Sequence, residues 1–235
     1  MIPVLICPIL NRPDLARQML ASVDVPVGRV VIVDNTPGHD LDVGPAEYLR
    51  PLTNLGFGGS INAAISQTAG APWWLFASND LIFGRGDLEA IVAAVEGDGP
   101  RIVTGDRSDS RMLRLAYGAL NAACVDAVGL FDEWAFFPAY FEDDDYERRC
   151  HLGGVEWITY NGTVVCGGGG PSQTIKGDPA MAAHNARTYP LNAAQYAEKW
   201  GGPPGSETLP TPYGLPVPLS FTRPDIAGRR SRAWT

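Results

Sequence analysis

Residues 29–35 read RVVIVDN, four β-branched residues in succession closed by Asp34 and Asn35. A strand with one wet face alternates apolar and polar side chains. An unbroken run therefore means that both faces are covered, as in a parallel sheet between layers of helices. The same signature recurs on either side. PVLIC at 3–7 and PWWLFAS at 72–78 read as buried strands, and RIVTG at 101–105 as a further one. Between them lie helical patterns. RPDLARQMLASV at 12–23 carries Pro13 at a first-turn position and Leu15, Met19, Leu20 and Val23 at helical spacing. GGSINAAISQTA at 58–69 and GDLEAIVAAVE at 86–96 read the same way.

Strand, helix, strand in repetition gives right-handed crossovers and an α/β fold, with a sheet flanked by helices. Ligands of such sheets bind beyond the carboxyl ends of the strands. The suspects are therefore residues 8–12, the pair Asp34-Asn35, and Ser78-Asn79-Asp80. The second half is less regular. It predicts a helix near 121–128, a helix over about 143–152, a strand VEWITYNGTVV at 155–165, and a mobile glycine loop at 167–170. After Trp200 proline and glycine dominate. Residues 1–200 are read as one domain and 201–235 as an extended tail, packed on the surface or partly disordered.

With 18 basic and 26 acidic residues the net charge is -8, a field that repels nucleic-acid phosphates. Cys7, Cys124, Cys150 and Cys166 are widely spaced, which argues against a zinc site or a disulfide scaffold and for reduced thiols in a cytoplasmic protein. The N-terminus lacks a basic leader, and no apolar run approaches the roughly 20 residues of a membrane span. On that reading the sequon at Asn161 is accidental. His39, His151 and His184 fall in loops or at a helix end, without metal spacing, and are assigned solvated roles. No GxSxG elbow is present, and no histidine is placed to serve a catalytic cysteine.

Residues 140–150, YFEDDDYERRC, set four carboxylates behind an aromatic run. Acids suit the first turn of a helix, and Asp144 and Asp145 face Arg148 and Arg149 one turn later. That accounts for two. Glu142 and Asp143, near apolar rings, are expected to have raised pKa values or to share a cation. NLGFGG at 54–59 has the glycines of a phosphate cradle, yet it fits neither the P-loop nor the dinucleotide fingerprint and alone reads as a tight turn. Asp80 after an apolar strand is a turn cap or a ligand for a hard divalent cation. Asp34 is equally open between turn and site.

Taken in order, these pieces resemble the inverting GT-A glycosyltransferases of family 2, in the rhamnosyltransferase-like branch. The matching residues are PILNRPD at 8–14, Val33-Asp34-Asn35, Asn54 to Asn62 as N-x-G-F-G-G-x-x-N, SND at 78–80, the FDE…EDDD…R block at 129–149, and YAEKWGG at 196–202. The resemblance implies a GT-A (Rossmann-like) mixed, mostly parallel sheet. It implies a nucleotide diphosphate sugar, a UDP- or dTDP-sugar, as donor, held by Pro8, Asn11, Arg12, Asp34, Asn35, Asn54, Gly56, Phe57, Gly58 and Asn79, with Asn62 bracing the glycine turn. Asp80 would bind Mn²⁺ or Mg²⁺ at the diphosphate. Glu142 and Asp143 match the catalytic acid pair, the second being the base that deprotonates an acceptor hydroxyl. Trp134, Phe136 or Tyr140 would form a sugar platform.

Two departures stand out. Ser78 replaces an acid or Asn, and Cys166 stands where relatives carry a metal-binding histidine, so the metal falls to Asp80 with the diphosphate, to His184, or hardly binds. The acceptor is a glycan, a protein or a modified DNA base, the last in keeping with the short versions encoded by bacteriophages. The rival readings are a sugar-nucleotide or glycan binding protein that has lost turnover, and a nucleotidyltransferase. The sequence sets no oligomeric state.

Overall fold

A computed structural model of the chain describes residues 1–38, 41–105, 115–167 and 172–227. The readings of His39, of the glycines at 168–170 and of the tail beyond 227 lie outside those residues. The first half runs β1 (Ile2–Ile9), α1 (Pro13–Ala21), β2 (Val27–Asp34), β3 (Glu47–Leu49), α2 (Gly56–Gln67), β4 (Trp73–Ala77), β5 (Leu81–Ile82), α3 (Asp87–Val95) and β6 (Arg101–Gly105). There follow β7 (Tyr117–Asn121), α4 (Ala122–Val128), α5 (Glu142–Leu152), β8 (Glu156–Tyr160), β9 (Val165–Cys166), α6 (Gln173–Lys176), α7 (Pro179–Trp200) and α8 (Pro224–Ala227).

Seven strands form one sheet in the order β3-β2-β1-β4-β7-β6-β8. Only β7 runs against its neighbours β4 and β6. The unbroken apolar runs are explained by the two cores. Leu5, Cys7 and Ile9 of β1 face α1 and α3 through Ala16, Met19, Leu88 and Ile91. Val4 and Ile6 face α2 and α5 through Ile61, Ala64, Ile65 and Tyr146. Each aliphatic side chain so buried contributes about 1.5–3 kcal/mol relative to exposure.

Several elements depart from the sequence reading, which named neither the strands β3, β5 and β7 nor the short helix α6. The strand expected over 155–165 is two strands, β8 in the large sheet and β9 paired with β5 in a separate ribbon, Leu81 opposite Cys166. More consequential is α7, 22 residues where no element was expected and where His184 was placed in a loop. Its buried stripe is His184, Thr188, Asn192, Gln195, Tyr196, Lys199 and Trp200. The spacing is helical but most of the residues are polar, and Pro190 interrupts the middle, so a search for apolar periodicity passes over it.

Asn192, Gln195, Tyr196, Lys199 and Trp200 of that stripe bond to the rest of the fold. Lys199 Nζ reaches Asp145 at 2.7 Å and Asp132 at 2.9 Å. Arg149 Nε donates to the other Asp145 oxygen at 2.8 Å, and its Nη1 donates to the carbonyls of Val128 and Leu130. Trp200 Nε1 donates to Asp145 at 2.9 Å. Asp145, Arg149 and Lys199 are fully buried. Two carboxylates and two cations thus close a neutral cluster that docks α5 on α7. The tail continues over the same surface: Thr208 and Leu209 donate to the Trp200 carbonyl, and Arg148 donates to the Leu209 carbonyl.

Removing one member strands a buried charge, which costs about 3–5 kcal/mol. Lys199→Met is expected to lose that much in chemical denaturation. Burial pushes the Asp145 carboxyl up, but Lys199 and Arg149 outweigh it and hold its pKa below the ordinary range. Its stabilisation is therefore present above the ordinary carboxylate pKa and lost as pH falls through the lower folded value. In Lys199→Met, stability should fall less steeply on the acid side.

Candidate functional site

A cleft of about 1120 Å³ opens at the carboxyl ends of β1 and β4, beside the end of β2. Pro8, Asn35, Asn54, Gly56, Phe57, Asn79, Asp80, Tyr140, Glu142, Asp143 and His184 all line it. Residues from six separate stretches of sequence, as far apart as 8 and 184, thus share one cavity. Asn11, Arg12, Asp34, Gly58 and Asn62 are not among the residues that line it, and the side chains of Asn11, Arg12, Asp34 and Asn62 are placed elsewhere.

Asp34 is a turn cap. Its two oxygens accept from the backbone N–H groups of Thr36 at 3.0 Å and Leu41 at 3.3 Å. Asn11 adopts positive φ and donates its N–H to the Thr36 hydroxyl, while Arg12 pairs with Asp14 on the surface. Asn35 lies at the cleft, and its side chain links the Ser60 hydroxyl and the Leu55 N–H, fixing the start of α2. Asn62 lies further along α2. Its amide exchanges hydrogen bonds with the Phe131 backbone in both directions and donates to Glu133, tying α2 to the segment that leads into α5.

Gly56 is where that approach is tightest. With φ at +73°, it sits in the left-handed region, and an added Cβ would lie 2.4 Å from the Pro138 carbonyl oxygen. Phe57 N donates to that same oxygen at 2.9 Å. The glycines here serve a close packing of α2 against the aromatic turn, on one wall of the cleft.

The acids come from separate elements that line the same cavity. Asp80 follows β4, and the ribbon of β5 and β9 sets it beside Cys166, whose backbone neighbour Gly167 donates to the Asp80 carbonyl. The Asp80 carboxylate accepts from Ser78 Oγ at 2.8 Å and from Gln173 N at 3.2 Å. The first turn of α5 presents Glu142, Asp143 and Asp144 to the same cleft. The fourth acid, Asp145, turns inward to the charge cluster. Glu142 is 5% exposed, and its Oε2 has no hydrogen-bond partner among the described residues. Burial, with Asp143 next, raises its pKa well above the ordinary range. The Tyr140 phenol is raised too, by burial first; its bond to Ser172 opposes this, and the charges of Glu142, Asp80 and Asp143 add to it.

Of the rings expected to form a platform, only Tyr140 lines the cavity. Phe136 is in the core with Tyr196 and Trp200, and Trp134 is on the surface, 41% exposed. The sequence reading missed Tyr189, Ser172 and the Pro203-Pro204 pair, which also line the cleft. Their signal was only composition, an aromatic and two prolines in stretches without apolar period.

For a cation the described residues offer few donors. No three His, Cys, Asp or Glu side chains among them converge on one point. Burial, with the nearby charge of Asp80, raises the Cys166 thiol, which keeps it protonated and a poor partner for a hard ion. Burial and Arg187 lower the His184 pKa, which favours neutral imidazole. What remains is Asp80, with His184 in the same cavity. That set suits an ion whose other ligands come from phosphate and water.

No protein-family model matches the chain, and no curated protein matches it in sequence. Solved structures do. A crystal structure of S. aureus TarS, residues 1–349, superposes with a TM-score of 0.52 at 16% identity, over 84% of this chain and 71% of that one. The same fragment in complex with UDP-GlcNAc gives 0.52 at 15%, over 84% and 67%. Its complex with UDP gives 0.51 at 15%, over 85% and 71%. The likeness is one of fold, and it is the α/β, GT-A-type arrangement that the sequence implied. No helix among the described residues is long and apolar enough to cross a membrane.

Gly56→Ala is expected to cost about 1–3 kcal/mol for its conformation alone and more for the clash with Pro138, read as a lowered melting temperature. Glu142→Gln should do the opposite. A carboxyl whose folded pKa is raised destabilises the fold progressively as pH climbs from its ordinary value toward the folded one. The variant and wild type should melt alike below about pH 4, and the variant higher at pH 7–8. Equal melting temperatures at both ends would remove the buried-carboxyl assignment.

Proposed function

We propose that the cleft binds a nucleotide diphosphate sugar and transfers its sugar, with inversion, to an acceptor hydroxyl. The observation that carries this reading is the gathering of Asp80 and the Glu142-Asp143 pair within one cavity at the carboxyl ends of the strands. TarS, of like fold, has been crystallised with UDP-GlcNAc and with UDP, which supports a sugar nucleotide as donor.

In the proposed arrangement the nucleotide lies along Pro8, Asn35, Asn54 and Phe57, and Asn79 and Asp80 face the diphosphate. Mn²⁺ or Mg²⁺ would be held by Asp80, with His184 as the second protein group, and would supply Lewis-acid stabilisation of the departing diphosphate. Asp143 is the base. An alcohol is a poor nucleophile, and a carboxylate within reach takes its proton as the new C–O bond forms. Burial, with the neighbouring Asp143 next, raises the Glu142 pKa, which favours its neutral form and lessens the negative charge beside Asp143. One base and one displacement give inversion at the anomeric carbon.

Incubation with UDP- and dTDP-sugars and Mn²⁺ is expected to release nucleoside diphosphate. Asp143→Asn should lower that release by about 10²–10⁴-fold, with the donor-induced thermal shift retained. Turnover unchanged in Asp143→Asn would remove the base assignment. A thermal shift without release in the wild type would favour a binding protein that has lost turnover.

A further inference from the structure

We infer that the end of the cleft bounded by α7 and the turn after it is a subsite for an uncharged pyranose ring, with Tyr189 as its platform. The inference rests on the sugar-transfer reading and names the acceptor class of that site. Tyr189 lines the cleft and remains 48% exposed. It is nevertheless fixed, because its ring packs against Phe141 at 5.2 Å and Tyr140 at 5.6 Å. Asn192, one turn further along α7, donates to the carbonyls of Ala139 at 2.9 Å and Tyr140 at 3.3 Å, which locks the aromatic turn to the helix. A rigid, open aromatic face inside a cavity is a recognition surface that loses little entropy on binding.

Its neighbours define what it takes. Ala193, Pro203 and Pro204 continue the wall as small apolar surfaces, and Phe141 leads directly into Glu142, Asp143 and Asp144. A pyranose has an apolar C–H face and a rim of hydroxyl donors. The ring of Tyr189 accepts the first, and ionised carboxylates, which only accept hydrogen bonds, suit the second. A phosphorylated ring would meet the same acids as like charges and be repelled. The hydroxyl directed at Asp143 is then the one to be glycosylated.

The test is ligand-observed NMR with methyl β-D-glucopyranoside, methyl α-L-rhamnopyranoside and glucose 6-phosphate, in the presence of UDP. At least one neutral glycoside should bind, and glucose 6-phosphate should bind far more weakly. Tyr189→Ala and the bulk-preserving Tyr189→Leu should each weaken glycoside binding about tenfold while UDP binding is unchanged. Undiminished glycoside binding in Tyr189→Leu, or equal binding of glucose 6-phosphate, would overturn the subsite, as would UDP-sugar hydrolysis with no glycoside binding. Glycoside binding at Tyr189 without any donor binding would keep the subsite and remove the transferase reading.

Discussion

Four charges buried together, Asp132, Asp145, Arg149 and Lys199, fix the position of everything at the acidic wall of the cleft. An isolated buried charge is too costly to keep, so each of the four must find its partner, and only one docking of α5 on α7 allows it. That docking aims the first turn of α5 into the cavity. It also explains the row of four acids at 142–145: successive helical positions point in different directions, so Asp145 enters the cluster while Glu142, Asp143 and Asp144 face the cleft. The lysine and tryptophan at 199–200 and the arginine at 149 belong to the scaffold rather than to substrate, although they sit in the same motifs as the cleft acids.

The strand-end part of the cleft is built by different means. The parallel strands β1, β2 and β4 end at one level because their hydrogen-bonded registers align them, Ile9 opposite Asp34 and Ile6 opposite Phe76. Their polar ends then face one space. Asp34 and Asn35 bond to backbone groups and to Ser60, and so shape that space; Asp80 and Asn79 border it. The close contact of Gly56 with Pro138 joins the two parts, since it ties the start of α2 to the turn that carries Tyr140.

Glu142 shows the tension between stability and use. Its carboxyl is buried with one oxygen unpartnered among the described residues, a placement that weakens the fold at neutral pH. The cluster beneath it, and the packing of Tyr146 on Phe131 at 4.3 Å, hold the helix against that cost. Strained or desolvated groups kept in place by stronger surroundings are typical of sites that bind or react.

Much of this could be read from the chain. The apolar runs at 3–7, 29–35 and 72–78 determined a covered parallel sheet, because an unbroken apolar strand has no other stable surroundings. The strand ends and the acidic row then marked where a cleft would form. Other features were not legible. Helix α7 was hidden because its buried stripe is polar, and polar residues are buried only when partners elsewhere in the chain satisfy them. The roles of Asp34, Asn62 and Phe136 likewise depended on which backbone groups and rings came within reach. Residue type and spacing set the local conformation and the chemistry on offer. Which groups bond to each other and which are left open to a ligand is settled by long-range packing, and that is decided only in the folded chain.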